Sequence, residues 1–232
     1  MKKILVGALA LLMILTLPAC NNQKGSQKVE SKGIDAKVGE YIKFGSYEQD
    51  NDSSNGKEEI EWLVLDIKDG RALVISKYLL DSKPFNTDRN FVTWESCSLR
   101  QWLNNDFFNA AFSANEMAKI SAVTVTADRN PDYNTNPGNA TQDNLFLLSI
   151  SEVEKYFASD GARLCDPTEY AASKSSWYDD YGSFWWLRTP GTDQSFAAIV
   201  SSRGDVSRFG NNVNGVKGIY AAIRPAMWIE LD

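Results

Sequence analysis

The side chains best suited to contact a ligand lie on polar stretches between short apolar runs in the C-terminal part of the chain. Flat aromatic rings can stack on a sugar or a peptide, and amide and acid side chains can hydrogen-bond hydroxyl groups or backbone amides. These residue types favour noncatalytic binding of a glycan or a protein or peptide ligand, although turn propensity explains the same Asn and Asp residues without any ligand. The candidate ligand-binding residues are Trp177, Tyr178, Tyr181, Thr192, Asp193, Gln194, Arg208, Asn211, Asn212 and Asn214.

Catalytic chemistry has fewer candidates, because the chain contains no histidine. This absence excludes catalytic triads that need an imidazole base and zinc motifs that need two histidines. The 30 Asp and Glu residues are too numerous for their spacing to select a catalytic pair. We therefore predict no catalytic residue, and the sequence leaves open whether the protein is an enzyme.

Three acids in one polar stretch have part of the spacing of a calcium loop. Asp50, Asp52 and Glu61 fall at the first, third and twelfth positions of an EF-hand pattern. Gly56 falls at the seventh position, whereas the sharp turn of that loop needs glycine at the sixth. The pattern favours a solvated hairpin loop over an ion site. Calcium is the one cofactor that the sequence brings into question, and we predict no metal-binding residue.

Cys97 and Cys165 are the cysteines that follow the N-terminal segment. Outside the cytoplasm an even pair permits a disulfide, and the alternative is two separate buried thiols that act as small apolar side chains. Two cysteines without a histidine do not supply the four ligands of a structural zinc site. The sequence does not decide between the disulfide and the two thiols.

The N-terminus has the pattern of a secretory signal peptide. Lys2 and Lys3 precede an uncharged apolar run over residues 4–17, and Leu17-Pro18-Ala19-Cys20 resembles a bacterial lipobox. We expect removal of residues 1–19, a lipid on Cys20, a flexible tether over residues 20–37 and one domain over residues 38–232. This predicts a protein held by its N-terminal lipid on the outer, extracytoplasmic face of the cell membrane.

The net charge argues against nucleic acid as a partner. It is -6, and it becomes -8 without Lys2 and Lys3, whereas nucleic-acid affinity depends on Lys and Arg at phosphates. The sequence thus predicts a cell-surface lipoprotein with a noncatalytic domain that binds a glycan or a protein or peptide. The alternatives are an extracytoplasmic enzyme with paired carboxylates, such as a cell-wall glycosidase, and a passive structural component of the envelope.

The candidate ligand-binding residues must be positioned by a predicted antiparallel meander. Gly204-Asp205 and Asn214-Gly215 supply the positive φ of tight hairpins, and Pro225 implies a bulge or an edge position in the last strand. Arg188 and Arg224, within this meander, are expected to hold buried ion pairs or carbonyls. We predict strands over residues 38–47, 60–67, 72–76, 185–188, 196–202, 206–209 and 218–229.

Helix starts are marked by capping patterns. Ser98, Ser113 and Ser151 each precede Glu or Gln by three residues, and Asp166 is followed by proline. The first helix places Trp102 on an apolar face that we expect to lie in the core. The segregation of helices and hairpins predicts an α+β fold, an antiparallel sheet meander with packed helices. The expected core of its central sheet comprises Trp185, Trp186, Leu187, Ile199, Val200, Ile223, Met227 and Trp228.

A long segment between the helices, residues 124–144, is rich in Asn, Asp, Pro and Gly. Long irregular loops on small domains are often functional, because loops commonly carry binding residues. A surface insertion without function is the alternative.

Several pieces of the C-terminal part resemble the signature of the DUF6273 domain, an uncharacterised bacterial family. They are Trp186-Leu187-Arg188-Thr189-Pro190-Gly191, Ala197-Ala198-Ile199-Val200, Gly204-Asp205-Val206 and Ile223-Arg224-Pro225-Ala226-Met227-Trp228-Ile229. The resemblance extends over residues 38–231. The closing pattern of this family is similar to that of C-type-lectin-like folds, which include formylglycine-generating enzymes and the variable proteins of diversity-generating retroelements. The resemblance implies a C-type-lectin-like fold, but the chain has no cysteine after Cys165, so the formylglycine-generating activity is not implied.

Overall fold

The computed structural model describes residues 33–175, 183–215 and 221–231, whose strands form two larger sheets and one small one. The strands are β1 (Tyr41–Tyr47), β2 (Glu58–Lys68), β3 (Arg71–Ser76), β4 (Asp81–Ser82), β5 (Ile120–Ser121), β6 (Val123–Val125), β7 (Thr141–Asp143), β8 (Leu145–Phe146), β9 (Trp185–Pro190), β10 (Phe196–Val200), β11 (Val206–Asn212), β12 (Ala222–Ile223) and β13 (Ala226–Glu230). The helices are α1 (Ser98–Trp102), α2 (Phe108–Ala111), α3 (Ala114–Met117), α4 (Ile150–Tyr156), α5 (Asp160–Arg163) and α6 (Glu169–Lys174), and a π-helical segment (Leu103–Phe107) joins α1 to α2.

The first sheet has the order β1-β2-β3-β13-β5, and β8 also pairs with β13. The second sheet has the order β11-β10-β9-β12-β4, and β6 pairs with β7 in a small sheet. Pairing of these strands is antiparallel except between β9 and β12. The domain is therefore sheet-rich and mixed, with short helices beside largely antiparallel sheets, in agreement with the predicted α+β class.

The predicted meander is confirmed for three strands and wrong for the fourth. Strands β9, β10 and β11 are consecutive and antiparallel, and Gly204 turns the second hairpin with a φ of +86°. The expected last strand is instead divided at Pro225, with β12 in the second sheet and β13 in the first. Among the described residues, β12 pairs with β9 and β4 and not with β11, so the prediction of a hairpin at Asn214-Gly215 is wrong. Proline cannot donate to a strand ladder, and its carbonyl accepts from Ser76 N at 3.0 Å. The C-terminal segment thus joins the two sheets.

The helix starts show which capping patterns are used. Ser113 and Glu116 form the predicted capping box before α3. Before α4 the box is formed by Ser149 and Glu152, so the prediction that Ser151 begins this helix is wrong. The Ser151 hydroxyl instead donates to Asp128 Oδ2 at 2.8 Å.

The other two predicted starts are displaced along the chain. Cys97 is the N-cap of α1, so Ser98 is its first residue, and Thr168 rather than Asp166 caps α6. Both caps accept a hydrogen bond from the backbone N–H three residues later, which is the contact that any N-cap makes.

The expected core residues are mostly buried. Trp185, Trp186, Leu187, Val200, Ile223 and Met227 are buried. Ile199 and Trp228 are only partly buried, and so is Trp102, which the sequence placed in the core. These three residues are corrections to the predicted core. Ile34, placed in the tether by the sequence, donates from its backbone N to Leu231 O at 2.9 Å and packs on the core.

Both domain cysteines are free and buried, so the disulfide alternative is not formed. Cys97 Sγ accepts from Arg100 N at the start of α1, whereas Cys165 Sγ donates to Lys77 O. Burial raises the pKa of the Cys97 thiol to about 12 and that of Cys165 to about 11. Thiols with such pKa values are unreactive near neutral pH, as expected for small apolar side chains.

Candidate functional site

The long segment over residues 124–144 is fixed to the second sheet by the buried side chain of Asn130. Its Nδ2 donates to Pro190 O at 2.9 Å and to Arg208 O at 2.7 Å. Its Oδ1 accepts from the backbone N of Asp132 and Tyr133 at 3.0 and 3.3 Å. Because one amide contacts the end of β9, strand β11 and its own loop, Asn130 determines where the loop lies.

Further bonds join this loop to the turn after β9. Thr135 Oγ1 contacts Gly191 O at 2.8 Å and Thr192 O at 3.0 Å. Gln194 Nε2 donates to Asn136 O at 3.0 Å, and Gln194 O accepts from Val92 N at 2.9 Å. Three segments that are distant in sequence therefore meet at this turn.

The turn tolerates no side chain at Gly191. A Cβ atom there would lie 2.3 Å from Phe209 O and 2.7 Å from Phe196 Cβ. Glycine is required because the backbone of β11 approaches the turn this closely. Close packing at this turn therefore explains why glycine ends the Trp186–Gly191 motif.

The meeting point of these segments forms a groove of about 350 Å³, which we call the rim groove. Exposed aromatic side chains border it: Phe91 is 74% exposed and Tyr133 is 45% exposed. The rim groove is lined by Phe91, Tyr133, Thr135, Asn136, Thr192, Asp193 and Gln194. The predicted ligand-binding residues Thr192, Asp193 and Gln194 are thus brought together, beside aromatic rings that sequence reasoning did not select.

The ring of Tyr133, at the border of the rim groove, is held in place by other rings. Tyr133 makes an edge contact with Phe209, with ring centroids 6.3 Å apart, and Phe209 makes another with Phe196 at 5.2 Å. Asp193 is oriented by its neighbour, because its Oδ1 accepts from Ser195 N at 2.7 Å and from Ser195 Oγ at 2.6 Å. The ring of Tyr133 and the carboxylate of Asp193 are therefore positioned before any ligand is bound, which lowers the entropic cost of binding.

Arg208, another predicted ligand contact, is engaged by acids outside the rim groove. Its guanidinium donates to Glu154 at 2.7 Å and to Asp132 at 2.8 Å, and these hydrogen bonds raise the pKa of Arg208. The three side chains line a second groove of about 500 Å³. Because both carboxylates share one guanidinium, this groove is built as an ion-pair network.

The remaining predicted contacts do not line the rim groove. Asn211 Oδ1 accepts from Asn212 N at 2.8 Å, and Asn212 Oδ1 accepts from Asn214 N at 3.2 Å. These local bonds are the turn contacts that the sequence offered as the alternative to a ligand role. Trp177, Tyr178 and Tyr181 lie outside the described residues, and so does Cys20.

The expectation for the two arginines is confirmed. Arg188 is buried and forms an ion pair with Glu152. Arg224 is also buried, donates to Ser76 O at 3.0 Å and lies over the ring of Trp185 at 5.2 Å. Both therefore hold structure together and are not directed at a ligand.

The acids that gather near residue 50 are not those of the predicted calcium loop. Glu48, Asp50 and Glu58 place carboxylate oxygens within 4.8 Å of one another. Glu61 instead forms an ion pair with Lys77 at 2.7 Å, so the EF-hand set is not assembled. Burial and the charge of Glu58 raise the pKa of Glu48. Exposed acids often gather without an ion, and the preference for a solvated loop over a calcium site stays a prediction.

The structure therefore defines a sheet-rich α+β domain with a loop-built groove. Residues 69–231 match the family described as "Domain of unknown function (DUF6273)", and the chain belongs to this family. The match begins after β1 and β2, so it is shorter than the range 38–231 expected from the motifs. No curated protein and no solved structure matches the chain at a significant level. Among the described residues, no helix has the length and apolar character needed to cross a membrane.

Proposed function

We propose that the protein is a lipid-anchored cell-surface protein whose domain binds a glycan in the rim groove without changing it chemically. One observation carries this proposal: the exposed rings of Phe91 and Tyr133 border the polar side chains of Asp193 and Gln194. A sugar ring presents an apolar face of C–H groups and an edge of hydroxyl groups. Exposed aromatic rings beside acid and amide groups match both surfaces.

We also propose that the fold is C-type-lectin-like. The motif similarity described above supports this, together with the β9–β11 meander and the C-terminal strand β13, which lies inside the other sheet between β3 and β5. In this proposal the loop between β9 and β10 contacts the ligand, as loops on rigid sheets commonly do. The glycan proposal depends on the groove itself and not on this fold relationship.

Glycan binding is tested by screening the purified protein on glycan and peptidoglycan arrays and titrating the best ligand by calorimetry. We expect Tyr133→Ala to weaken binding at least about tenfold, which corresponds to about 1.4 kcal/mol, because a stacking ring is lost. Tyr41→Ala is a matched control, since Tyr41 is 51% exposed but does not line the rim groove. Equal losses in both variants would contradict the proposal.

The same screen separates the alternatives. Binding of peptides instead of glycans, with the same loss in Tyr133→Ala, would assign the rim groove to a protein ligand. Release of reducing sugars from a bound glycan would favour a carboxylate enzyme, with Asp132 and Glu154 as the first acids to replace. Absence of any ligand would favour a passive envelope component.

Anchoring is tested at Cys20. We expect Cys20→Ser to release the protein from the membrane fraction into the medium, or to leave an uncleaved precursor, because the residue that would carry the lipid is gone. Cys97→Ser is a control for the loss of a thiol elsewhere in the chain. Unchanged membrane retention with normal processing of Cys20→Ser would refute the anchor.

A further inference from the structure

A third groove, which we call the helix groove, lies between the chain at Lys83 and the helical run that begins with α1. Its volume is about 440 Å³, within the roughly 300–1,000 Å³ range of small-molecule sites. It shares no lining residue with the rim groove. Side chains that can contact a ligand there belong to Lys83, Ser98, Gln101, Trp102, Asn105 and Asp106.

Trp102 differs from the buried tryptophans in what its indole N–H does. The Nε1 atoms of Trp62, Trp94, Trp185 and Trp186 each donate to a protein oxygen. Among the described residues, Trp102 Nε1 has no acceptor, and its side chain is only partly buried where it lines the helix groove. Buried tryptophans usually find an acceptor for this N–H group. The indole of Trp102 therefore offers both a ring and a free donor to a ligand.

Lys83 carries a charge without a carboxylate partner in the described part of the chain. Its Nζ lies 4.7 Å from the centroid of the Trp102 ring. Lys77 is a useful comparison, because its Nζ also lies over a ring, at 4.9 Å from Tyr78, but forms an ion pair with Glu61 at 2.7 Å. The nearby buried Asp81 accepts from the Tyr47 hydroxyl at 2.8 Å. Burial raises the pKa of Asp81 and the charge of Lys83 opposes that rise, but the two side chains form no ion pair in the described part of the chain. The ammonium of Lys83 is thus available to an anionic group.

The position of Lys83 is fixed by the core beneath it. Its backbone O accepts from Trp186 Nε1 at 2.9 Å, and Trp186 is fully buried. The flexible part of the side chain can therefore move between the Trp102 ring and a ligand while its backbone stays in place. An exposed cation–π contact is weak, so a carboxylate can replace it.

The π-helical segment shapes the opposite wall of the helix groove. Leu103 and Phe107 are buried, and Asn104 is held inward because its Nδ2 donates to Leu145 O at 2.8 Å. Asn105 and Asp106 are exposed and line the groove. π-Helical turns are rare and occur frequently at functional sites. This turn therefore presents an amide and a carboxylate to the same space as Trp102.

We propose that the helix groove binds a saccharide that carries a carboxylate, such as a uronic acid. Lys83 forms an ion pair with the carboxylate and in doing so leaves the face of Trp102, which then packs on the C–H face of the sugar ring. The amides of Gln101 and Asn105 donate hydrogen bonds to the hydroxyl groups and accept from them, and the carboxylate of Asp106 accepts from them. This site is distinct from the rim groove and does not depend on the function proposed for it.

The ligand class is tested with a tetrasaccharide of uronic acid and the neutral tetrasaccharide in which hydroxymethyl groups replace the carboxylates. Calorimetric titration at low salt is expected to give at least about tenfold tighter binding of the acidic probe, corresponding to about 1.4 kcal/mol. Lys83→Met should abolish this preference, because it keeps the aliphatic chain and removes the charge. Lys77→Met is the matched control and should retain the preference, since its charge is already paired.

Two further variants make the result specific to the helix groove. Trp102→Phe should weaken both probes about equally and leave the preference intact, and thermal denaturation checks that the variant is folded. Tyr41→Ala should leave the affinity for both probes unchanged, because Tyr41 is exposed but lines neither groove. Equal affinity for the two probes, no binding of the acidic probe, or an unchanged preference in Lys83→Met would overturn the proposal. Displacement of the acidic probe by equimolar acetate would overturn the saccharide part.

Discussion

Replacing Trp186 with alanine is expected to destabilise the domain by roughly 3 to 5 kcal/mol, a large part of the about 5–15 kcal/mol that stabilises a typical domain. Trp186 is fully buried on β9, which lies between β10 and β12 in the second sheet. Its ring contacts the edge of Phe85 at 5.6 Å, and its Nε1 donates to Lys83 O at 2.9 Å. The change leaves a cavity and an unpaired carbonyl at once.

Trp228→Ala is the control variant for this prediction, because it removes a tryptophan that is only partly buried. The sequence placed both tryptophans in one core, but Trp228 is only partly buried and has Arg71 over its ring at 5.5 Å. We expect a loss of about 1 to 2 kcal/mol, within the usual range for single substitutions. Chemical denaturation followed by far-UV circular dichroism measures both variants without depending on tryptophan fluorescence. A larger loss for Trp228→Ala than for Trp186→Ala would contradict the assigned core.

The β10–β11 hairpin could be predicted because its signal is local, whereas the same kind of signal at Asn214-Gly215 does not form a hairpin with β12. Gly204 with Asp205 defines the β10–β11 turn by its own backbone preference. The division of the last strand at Pro225 could not be predicted, because the partners of β13 are β3, β5 and β8, all far away in sequence. Arg224 shows the same separation, since it donates to Ser76 O across 148 positions. Only the assembled sheets decide where such a strand pairs.

The helix caps show where local signals become ambiguous. Ser149–Glu152 and Ser151–Glu154 have the same capping spacing, two residues apart. The structure uses the first pair, and Glu152 is also the partner of the buried Arg188. A tertiary ion pair thus selects one of two equivalent local patterns. The sequence of the segment alone does not contain this information.

The candidate site was only partly accessible from the sequence. Thr192, Asp193 and Gln194 were selected because polar residues after a strand are common ligand contacts. Phe91 and Tyr133 were not, because their place beside these residues depends on how two distant loops pack. The available signal was the length and composition of residues 124–144, which pointed to the loop without identifying its aromatic residue. Asn130, which fixes that loop, looked like any other turn residue.

Arg188→Met is expected to destabilise the domain by about 3–5 kcal/mol, because it removes one partner of a buried ion pair. The Arg188 side chain is 3% exposed and donates to both oxygens of Glu152. It also donates to Leu147 O at 2.8 Å and to Thr126 O at 3.1 Å. Methionine fills the space but leaves these acceptors unpaired. Arg188→Lys should recover only part of the loss, because an ammonium cannot reproduce the planar two-oxygen contact.

A double-mutant cycle with Glu152→Gln separates the ion pair from the other bonds of Arg188. Each variant loses part of the free energy of unfolding. We expect the losses of the two single variants to sum to more than the loss of the double variant by about 1–3 kcal/mol, the usual coupling of contacting residues. Ser149 N donates to Glu152 Oε2 at 2.8 Å. Glu152→Gln keeps an oxygen that can accept this hydrogen bond, so the α4 cap survives. Glu154→Gln is the control, since its carboxylate contacts Arg208 instead. Strict additivity between Arg188→Met and Glu152→Gln would mean that Arg188 acts through the carbonyls of Leu147 and Thr126, and that the capping pattern of α4 is selected by something other than this ion pair.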